Sequence, residues 1–267
     1  MNRNAYIGIF DSGAGGLTVA KHLMEWLPDE NILFFGDTAH LPYGTKSEKQ
    51  IKEFAVNDVA FLNTFELKSL VIACNTADSV ARETLLREFD MPIYGVIDPA
   101  SKKAAEVTEN KKIGIMATTA TVRSLAYRKA IHRIDKDIEV YQLACPLLVP
   151  LVENRRYRKD DTVVRLILSE YLEQLTANGI DTLVLGCTHY PLLYDAIHDL
   201  VPDLKIVSSS EEAAKALVRS LKASDLLSDE PGSIRRFYVS DDAEAFRKNA
   251  DIFLGKDITG EVIQVAV

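Results

Sequence analysis

Disulfide frameworks, long apolar runs and low-complexity tracts are all missing from this sequence of 267 residues. Its three cysteines are far apart and odd in number, so they do not make a disulfide framework. No apolar stretch approaches the roughly 18 residues that a membrane span needs, and the first residues lack the pattern of a signal peptide. From these absences we expect a soluble globular protein of the reducing cytoplasm.

Positively charged residues are fewer than negatively charged ones. The chain has 31 Lys and Arg against 39 Asp and Glu, which gives a formal net charge of −8. This balance argues against nucleic acid or an anionic membrane surface as the main partner. With 47% hydrophobic residues, the chain can build a sizeable core in one large domain or two smaller ones.

Short apolar runs alternate along the chain with longer amphipathic segments. Such runs are typical of parallel strands covered on both faces, and the segments between them are typical of helices. The alternation predicts an α/β fold with parallel sheets. The runs lie at residues 6–10, 32–36, 69–73, 92–96, 112–116, 138–143, 182–186 and 205–208.

Local signals indicate where several helices begin and end. Ser47 and Gln50 have the spacing of a capping box. Asp98 followed by Pro99 predicts an N-cap with proline at the first helical position. The segment 160–177 predicts a further helix, and Gly179 follows it as part of the C-cap region.

The two halves of the chain repeat each other faintly. The run "IGIF" at 7–10 returns as "IGIM" at 113–116, and "LVIACNTA" at 70–77 returns as "LVLGCTHY" at 183–190. Two repeats in the same order and at similar spacing indicate duplicated α/β units. We therefore expect two pseudo-symmetric α/β domains that meet at a cleft, where small-molecule sites usually form.

Cys74 and Cys187 occupy matching places in these halves. Each follows an apolar strand at the end where ligands bind in α/β sheets, and each faces the start of the next helix, which favours a thiolate. One buried cysteine is usually inert, but two in equivalent positions favour a catalytic role. Cys145 has no polar neighbours and is interpreted as a core residue. The polar residues that follow the paired cysteines are Asn75, Thr76, Thr188 and His189.

Other uses of two thiols fit the sequence less well. A zinc site would need three or four closely spaced ligands, and the sequence has neither CxxC nor HExxH. The same lack argues against a thioredoxin-like centre, and a Cys–His hydrolase would leave one thiol without a role. Two thiols on opposite sides of a substrate can remove a proton from one face of a carbon and deliver one to the other face. That reaction inverts the configuration of the carbon.

Two loops after strands carry further polar groups. In "IFDSGAGGLTV" (9–19), Asp11 and Ser12 lie where a carboxylate and a hydroxyl would reach a ligand, although the loop fits neither the dinucleotide fingerprint nor a P-loop. The backbone amides of "GDTAHLPYGT" (36–45) would suit an anion, with an ordinary surface turn as the alternative. The role of His40 stays open.

In order along the chain, "DSGAGG", "GDTAHLPYG", "ACNTA", "ACPLLVPLVE" and "LGCTHYP" resemble the motifs of glutamate racemases. These enzymes work without pyridoxal phosphate and make D-glutamate for peptidoglycan, so the resemblance implies glutamate as substrate, no cofactor and no metal. It extends from about Ile7 to Pro191. It implies a first α/β domain of residues 1–97 plus 208–267, a second of residues 98–207, an active site in the cleft between them, and a homodimer.

The resemblance assigns roles to the residues that match the family motifs. Cys74 would act on D-glutamate and Cys187 on L-glutamate, each as base in one direction and acid in the other. Asp11 would support Cys74, while Glu153 and His189 would support Cys187. The implied substrate contacts are Ser12, Asn75, Thr76 and Thr188 around the α-carboxylate and amino group, and Pro42, Tyr43 and Gly44 around the side-chain carboxylate. Asp11 and His189 are further implied substrate contacts.

A few positions match the family only loosely or depart from it. Thr118 and Thr121 correspond loosely to family threonines. Asp78 stands where a small or hydroxyl residue is usual, and Ser101 and Ala117 replace expected glycines. Three other functions remain open at this point: an aspartate or related amino-acid racemase, a non-catalytic glutamate-binding regulatory protein, and a redox sensor with a Cys74–Cys187 disulfide.

Overall fold

Residues 2–267, which the computed structural model describes, form ten strands in two sheets. Every pair of neighbouring strands in these sheets is parallel. The strands are β1 (Tyr6–Asp11), β2 (Ile32–Gly36), β3 (Leu67–Ile72), β4 (Ile93–Gly95), β5 (Lys112–Ala117), β6 (Glu139–Ala144), β7 (Thr182–Gly186), β8 (Lys205–Ser208), β9 (Arg235–Val239) and β10 (Glu261–Gln264).

Helices cover both sheets, as parallel strands that are buried on two faces require. Within the described residues they are α1 (Leu17–Trp26), α2 (Glu48–Leu62), α3 (Asn75–Glu88), α4 (Ile97–Val107), α5 (Thr119–Ser124), α6 (Ala126–Ile134), α7 (Leu148–Glu153), α8 (Thr162–Thr176), α9 (Tyr194–Leu200), α10 (Ser209–Ala223) and α11 (Ala243–Leu254). None of these helices is long and apolar enough to cross a membrane.

The two sheets share one strand order. The first runs β10-β9-β2-β1-β3-β4 and the second β6-β5-β7-β8, so β2-β1-β3-β4 corresponds to the whole second sheet. The repeated "IGI" runs lie in β1 and β5, and the cysteine repeats include β3 and β7, which pair with them. The predicted α/β fold, with two pseudo-symmetric units and parallel sheets, is confirmed.

The chain passes from the first sheet to the second and then returns. After β4 it enters α4, which contacts β7 and β8, and after β8 it enters α10, which packs against α1 and α4. The last helix, α11, packs beside α1, and β10 then completes the edge of the first sheet.

The apolar runs do not predict β9 and β10. β9 begins with Arg235 and Arg236, and β10 is only half-buried, with Glu261 and Gln264 at its ends exposed. Because β10 is an edge strand, it does not need a continuous apolar sequence.

The capping signals are confirmed for α2 and corrected for α4. Ser47 accepts the backbone N–H of Gln50, whose side chain accepts the N–H of Ser47, so the predicted capping box is present. The predicted N-cap at Asp98 is wrong, because α4 begins at Ile97, two residues before Pro99, with Val96 as its N-cap. Asp98 lies instead in the first turn of the helix.

Asp78 of α3 takes over the capping of α4. Its Oδ2 accepts the backbone N–H groups of Val96 and Ile97 at 2.9 and 2.8 Å. These are among the first N–H groups of the helix, which have no partner inside it. The carboxylate that departs from the family pattern therefore links two helices of the fold.

The predicted helix at 160–177 is α8, slightly shorter than expected. Asp161 is its N-cap and accepts the N–H groups of Val163 and Val164, and the helix ends at Thr176 with Ala177 as C-cap. Gly179 follows with a φ of +72°, a left-handed conformation that glycine adopts without strain.

Candidate active site

Both paired cysteines line one small cavity where the carboxyl ends of the two sheets meet. Cys74 follows β3 and Cys187 follows β7, so the matching strand order brings the two thiols to the same place. The cavity has a volume of about 40 Å³. It is lined by Ser12, Leu41, Pro42, Tyr43, Gly44, Cys74, Asn75, Thr76, Thr118, Val149, Cys187, Thr188 and His189.

Nearly all of the residues expected at the site lie in this lining. The two exceptions are Asp11, which lies buried beside it, and Glu153, which contacts His189 from outside. Glu153 instead borders a neighbouring cavity of about 350 Å³. Cys145 does not line the active-site cavity; it is fully buried, and its Sγ lies 3.6 Å from the carbonyl oxygen of Leu143.

Cys74 is held as a thiol by its surroundings. It is the N-cap of α3, and its Sγ donates a hydrogen bond to the Ser12 hydroxyl at 3.3 Å. Burial, assisted by the negative charge of Asp11, raises the pKa of Cys74 to about 12, although the contact with Ser12 acts in the opposite direction. The helix N-terminus, which was expected to favour a thiolate, is outweighed by desolvation.

Asp11 lies at the end of β1 and is only 1% exposed. Its Oδ2 accepts the backbone N–H of Gly13 at 3.0 Å, while its Oδ1 has no hydrogen-bond partner in the described part of the chain. Burial raises the pKa of Asp11 to about 6, even though the His189 charge lowers it. At neutral pH the group is thus a carboxylate that can still take up a proton.

The glycine-rich loop allows the two cysteine regions to approach each other. A Cβ on Gly15 would lie 2.3 Å from the Thr188 hydroxyl and 2.6 Å from the His189 ring. A Cβ on Gly16 would lie 2.5 Å from the Cβ of Asp11. Glycine at these two positions is required by close packing against the site.

On the opposite side, His189 links Cys187 to Glu153. Its Nδ1 lies 3.8 Å from the Cys187 sulfur, and its Nε2 lies 3.2 Å from Oε1 of Glu153. Burial lowers the pKa of His189, but hydrogen bonds with Cys187 and Glu153 outweigh burial and raise the pKa to about 10. The ring is therefore protonated at neutral pH and carries a positive charge beside the Cys187 sulfur. Phe253 packs against it edge-on, with ring centroids 5.1 Å apart.

A chain of hydrogen bonds fixes the side chain of Asn75. The Ser209 hydroxyl donates to the Leu185 carbonyl, so its oxygen accepts from Nδ2 of Asn75 at 3.2 Å. Oδ1 of Asn75 then accepts from the Tyr127 hydroxyl at 2.6 Å. One N–H of the amide remains available to a ligand in the cavity.

Hydroxyl groups from the segments that follow β3 and β5 meet at the cavity. Thr76 lies 2.8 Å from Thr118 between their hydroxyl oxygens, and Thr118 lies 3.0 Å from Thr121. Thr118 also faces Gly44, where an added Cβ would come within 3.0 Å of it. Thr118, one of the two loosely matching threonines, thus packs against the loop that carries Tyr43.

The Tyr43 side chain anchors that loop from below. Its ring is 1% exposed, and its hydroxyl lies 2.6 Å from Oδ2 of Asp37 and 2.9 Å from Oδ2 of Asp58. His40 does not line the cavity; it bonds Asp37 through Nδ1 and stacks on Phe54.

Several residues that shape the site have no signal in the sequence that assigns them there. Leu41 and Val149 supply apolar wall, and both lie inside motifs that the family resemblance covers. Asp37, which also lies inside such a motif, acts from behind the lining. So do four residues that only tertiary contacts reveal: Asp58, Tyr127, Ser209 and Phe253.

The arrangement offers two acid–base groups on one cavity, each with its own assistant. Cys74 lies near the Asp11 carboxylate, and Cys187 lies next to the His189 ring. Within residues 2–267 no group of three or more His, Cys, Asp or Glu side chains is placed to hold a metal ion.

Comparison with known proteins agrees with this geometry. The family model of Asp/Glu/hydantoin racemases matches residues 10–217. A glutamate racemase of Sulfurihydrogenibium is 44% identical over 261 residues, which is 97% of each chain. The crystal structure of a glutamate racemase isoform from Bacillus anthracis covers 100% of both chains with a TM-score of 0.94 and 38% identity.

A second solved structure, the glutamate racemase of Francisella tularensis in complex with D-glutamate, is 36% identical. It covers 99% of this chain and 98% of its own with a TM-score of 0.92. Because the family model matches residues 10–217 and the relatives match nearly the whole chain, the chain belongs to the Asp/Glu/hydantoin racemase family and groups there with the glutamate racemases.

Proposed function

We propose that this protein interconverts L- and D-glutamate by proton transfer at Cα between two cysteines, without a cofactor. The observation that carries the proposal is the single cavity lined by both Cys74 and Cys187. The relatives named above supply the substrate, since they are glutamate racemases and one of them was solved with D-glutamate.

From L- to D-glutamate, the Cys187 thiolate takes the proton from Cα. The S–H bond forms as the Cα–H bond breaks, and the electron pair moves into the α-carboxylate system. The Cys74 thiol then donates its proton to the opposite face of Cα. The reverse reaction uses the same groups in exchanged roles, which leaves atoms and charges balanced.

The assistants match these roles. The protonated His189 provides a positive charge and a hydrogen bond to a Cys187 thiolate. Asp11, ionised at neutral pH, can take up the Cys74 proton when Cys74 must act as the base, although its own negative charge raises the pKa of that thiol. The α-hydrogen of an amino acid is only weakly acidic, so stabilisation of the developing negative charge is also needed. Oriented donors supply this stabilisation, and one donor is worth about 10²–10³ in rate. Asn75, Thr76 and Thr188 are the donors available here.

Placement in the cell and in an assembly follows from the same proposal. We expect a cytoplasmic homodimer that provides D-glutamate for peptidoglycan. We also expect the chain to divide into a domain of residues 1–97 plus 208–267 and a domain of residues 98–207.

The decisive experiment is racemisation in D₂O, followed by NMR and circular dichroism. Wild-type protein should convert each enantiomer into the other and place solvent deuterium at Cα. Cys74→Ala and Cys187→Ala should each lower racemisation by about 10²–10⁴-fold, the usual contribution of one acid–base group. Cys145→Ala is the matched control, because Cys145 is buried but does not line the cavity. Full conversion by Cys74→Ala would rule out the two-thiol mechanism.

The same assay separates the alternatives. A preference for aspartate would show as faster exchange with that substrate, and substitutions in residues 41–45 should then change the preference. Glutamate binding without exchange would indicate a regulatory protein. Loss of two thiols on mild oxidation, coupled to loss of activity, would instead support a redox role for the cysteine pair.

A further inference from the structure

A buried polar group lies directly beneath the wall of the active site. It consists of Asp37 after β2, Asp58 in α2 and the hydroxyl of Tyr43, whose side chains are at most 2% exposed. None of the mechanistic steps uses Asp37 or Asp58. Two carboxyl groups buried around one hydroxyl are costly unless each has a hydrogen-bond partner of the right kind.

Three hydrogen-bond donors surround Asp37. Its oxygens accept from His40 Nδ1 at 2.8 Å, from the Ser240 hydroxyl at 2.7 Å and from the Tyr43 hydroxyl at 2.6 Å. The Ser240 oxygen itself accepts the backbone N–H of Ala39, so its proton is free to point at Asp37. Three donors converge on this carboxyl group, so each of its contacts can be a hydrogen bond without a proton on Asp37 itself.

The same count leaves Asp58 without a donor. Tyr43 has one hydroxyl proton, and the shorter contact assigns that proton to Asp37. The 2.9 Å contact between the Tyr43 oxygen and Oδ2 of Asp58 is then a hydrogen bond only if Asp58 carries a proton and donates it. Burial, with Asp37 as a nearby negative charge, raises the pKa of Asp58 well above its ordinary value, which agrees with this count.

We propose that Asp58 is a neutral carboxylic acid that positions Tyr43, and through Tyr43 the Pro42–Gly44 wall of the active site. Asp58 does not line the cavity, whereas all three residues of this wall do. The wall is fixed on both sides, because Tyr43 is held from below by the two carboxyl groups and Gly44 meets Thr118 from above. The functional part of the inference rests on the proposed racemisation, in which this wall receives the side-chain carboxylate of glutamate.

Substitutions that separate charge from hydrogen bonding test the role of Asp58. Asp58→Asn keeps a neutral donor at this place, so KM for both enantiomers should stay close to that of the wild type. Asp58→Ala removes the donor, so KM should rise about ten-fold, the effect of one buried hydrogen bond, with kcat little changed. Tyr43→Phe removes the other end of the bond, and combining it with Asp58→Ala should add little to the effect of either alone.

Two controls distinguish positioning from general destabilisation. Val59→Ala creates a cavity in the same helix and removes no hydrogen bond of Tyr43, so it should lower the melting temperature and leave KM unchanged. At pH 8, where Asp11 and Asp78 with pKa values of about 6 are ionised, the infrared spectrum of the wild type should show the carbonyl stretch of a protonated carboxylic acid, and Asp58→Asn should lack it. This measurement needs no activity, so it stands even if the proposed racemisation fails.

A ten-fold rise in KM for Asp58→Asn would overturn the proposal, since the position would then require a charge. An unchanged KM in Asp58→Ala would equally overturn it. So would the absence of the protonated-acid band from the wild type.

Discussion

The protonation state of His189 affects its contacts with both Cys187 and Glu153. Its pKa of about 10 means that the ring is charged below that pH and loses its proton as the pH rises through it. The contact with Glu153 is one of the interactions that keep the proton on the ring. Without the positive charge, a Cys187 thiolate loses the hydrogen bond that it accepts from Nδ1.

We therefore expect Glu153→Gln to move the alkaline fall of kcat/KM for L-glutamate to lower pH. Glutamine can still bond Nε2 but has no negative charge to hold the proton on His189. The full pH profile of kcat/KM for each enantiomer checks this, with Glu170→Gln, an exposed glutamate of α8, as control. If the alkaline limb stays in place in Glu153→Gln, a group other than His189 controls it.

The sequence identifies the residues that are proposed to react. It does not identify the residues that hold the cavity wall in place from behind. Cys74 and Cys187 stand out because each ends an apolar strand and the strand repeats. Asp58 and Tyr127 do not stand out, because they reach their partners through tertiary contacts with segments 15 and 52 residues away. Hydrogen bonds of this kind leave no periodic pattern in a single sequence.

Among the helices, α4 depends on a side chain from another element. Through one oxygen, Asp78 in α3 accepts the N–H groups of the N-cap Val96 and of Ile97, the first residue of α4, and its side chain is completely buried. Removing a helix cap typically costs about 0.5–2 kcal/mol, and burial of the freed N–H groups adds to that cost. We expect Asp78→Ala to lower the free energy of unfolding by about 1–3 kcal/mol, measured by urea denaturation.

Asp78→Asn gives a second prediction for the same cap, because its effect on the free energy of unfolding should depend on pH. Burial raises the pKa of Asp78 to about 6 from an ordinary value of 3.8. The folded protein therefore holds this proton more tightly than the unfolded chain. The wild type loses stability as the pH rises from 3.8 to about 6, where Asp78 ionises in the folded state. The asparagine variant, which never ionises, should gain stability relative to the wild type between pH 4 and pH 8. If the difference in free energy of unfolding between the variant and the wild type stays constant across this range, burial does not raise the pKa of Asp78.

The elements themselves were predictable to different degrees for one physical reason. Strands buried on both faces need continuous apolar residues, so β1 and β5 are evident from "IGIF" and "IGIM". The edge strand β10 has no such need, and the start of α4 is set by Asp78 rather than by a local capping residue. Local sequence patterns predict strands, because burial on both faces requires continuous apolar residues. They do not predict the start of a helix that is set by a carboxylate from another helix.

At the scale of the whole molecule, the active-site cavity is smaller than the proposed substrate. Its 40 Å³ has room for only a few water molecules, since one water needs about 10–15 Å³ of such space. Glutamate binding must therefore enlarge the space between the parts that carry Cys74 and Cys187. Contacts that join these parts oppose the enlargement, and one of them is a paired contact from Arg155, just after α7, to Asp251 of α11, with N–O distances of 2.9 and 2.8 Å.

Breaking this ion pair should make glutamate binding easier. Both side chains are partly exposed, so the pair is worth at most about 1 kcal/mol, and Asp251→Ala should lower KM for both enantiomers by up to about five-fold. Salt weakens exposed ion pairs, so the wild-type KM should approach that of the variant as ionic strength rises. Asp199→Ala is the matched control, because it removes a similarly exposed pair with Arg165 that joins only α8 and α9. If Asp251→Ala and Asp199→Ala behave alike, the cavity must enlarge through its own loops, with the two sheets keeping their relative positions.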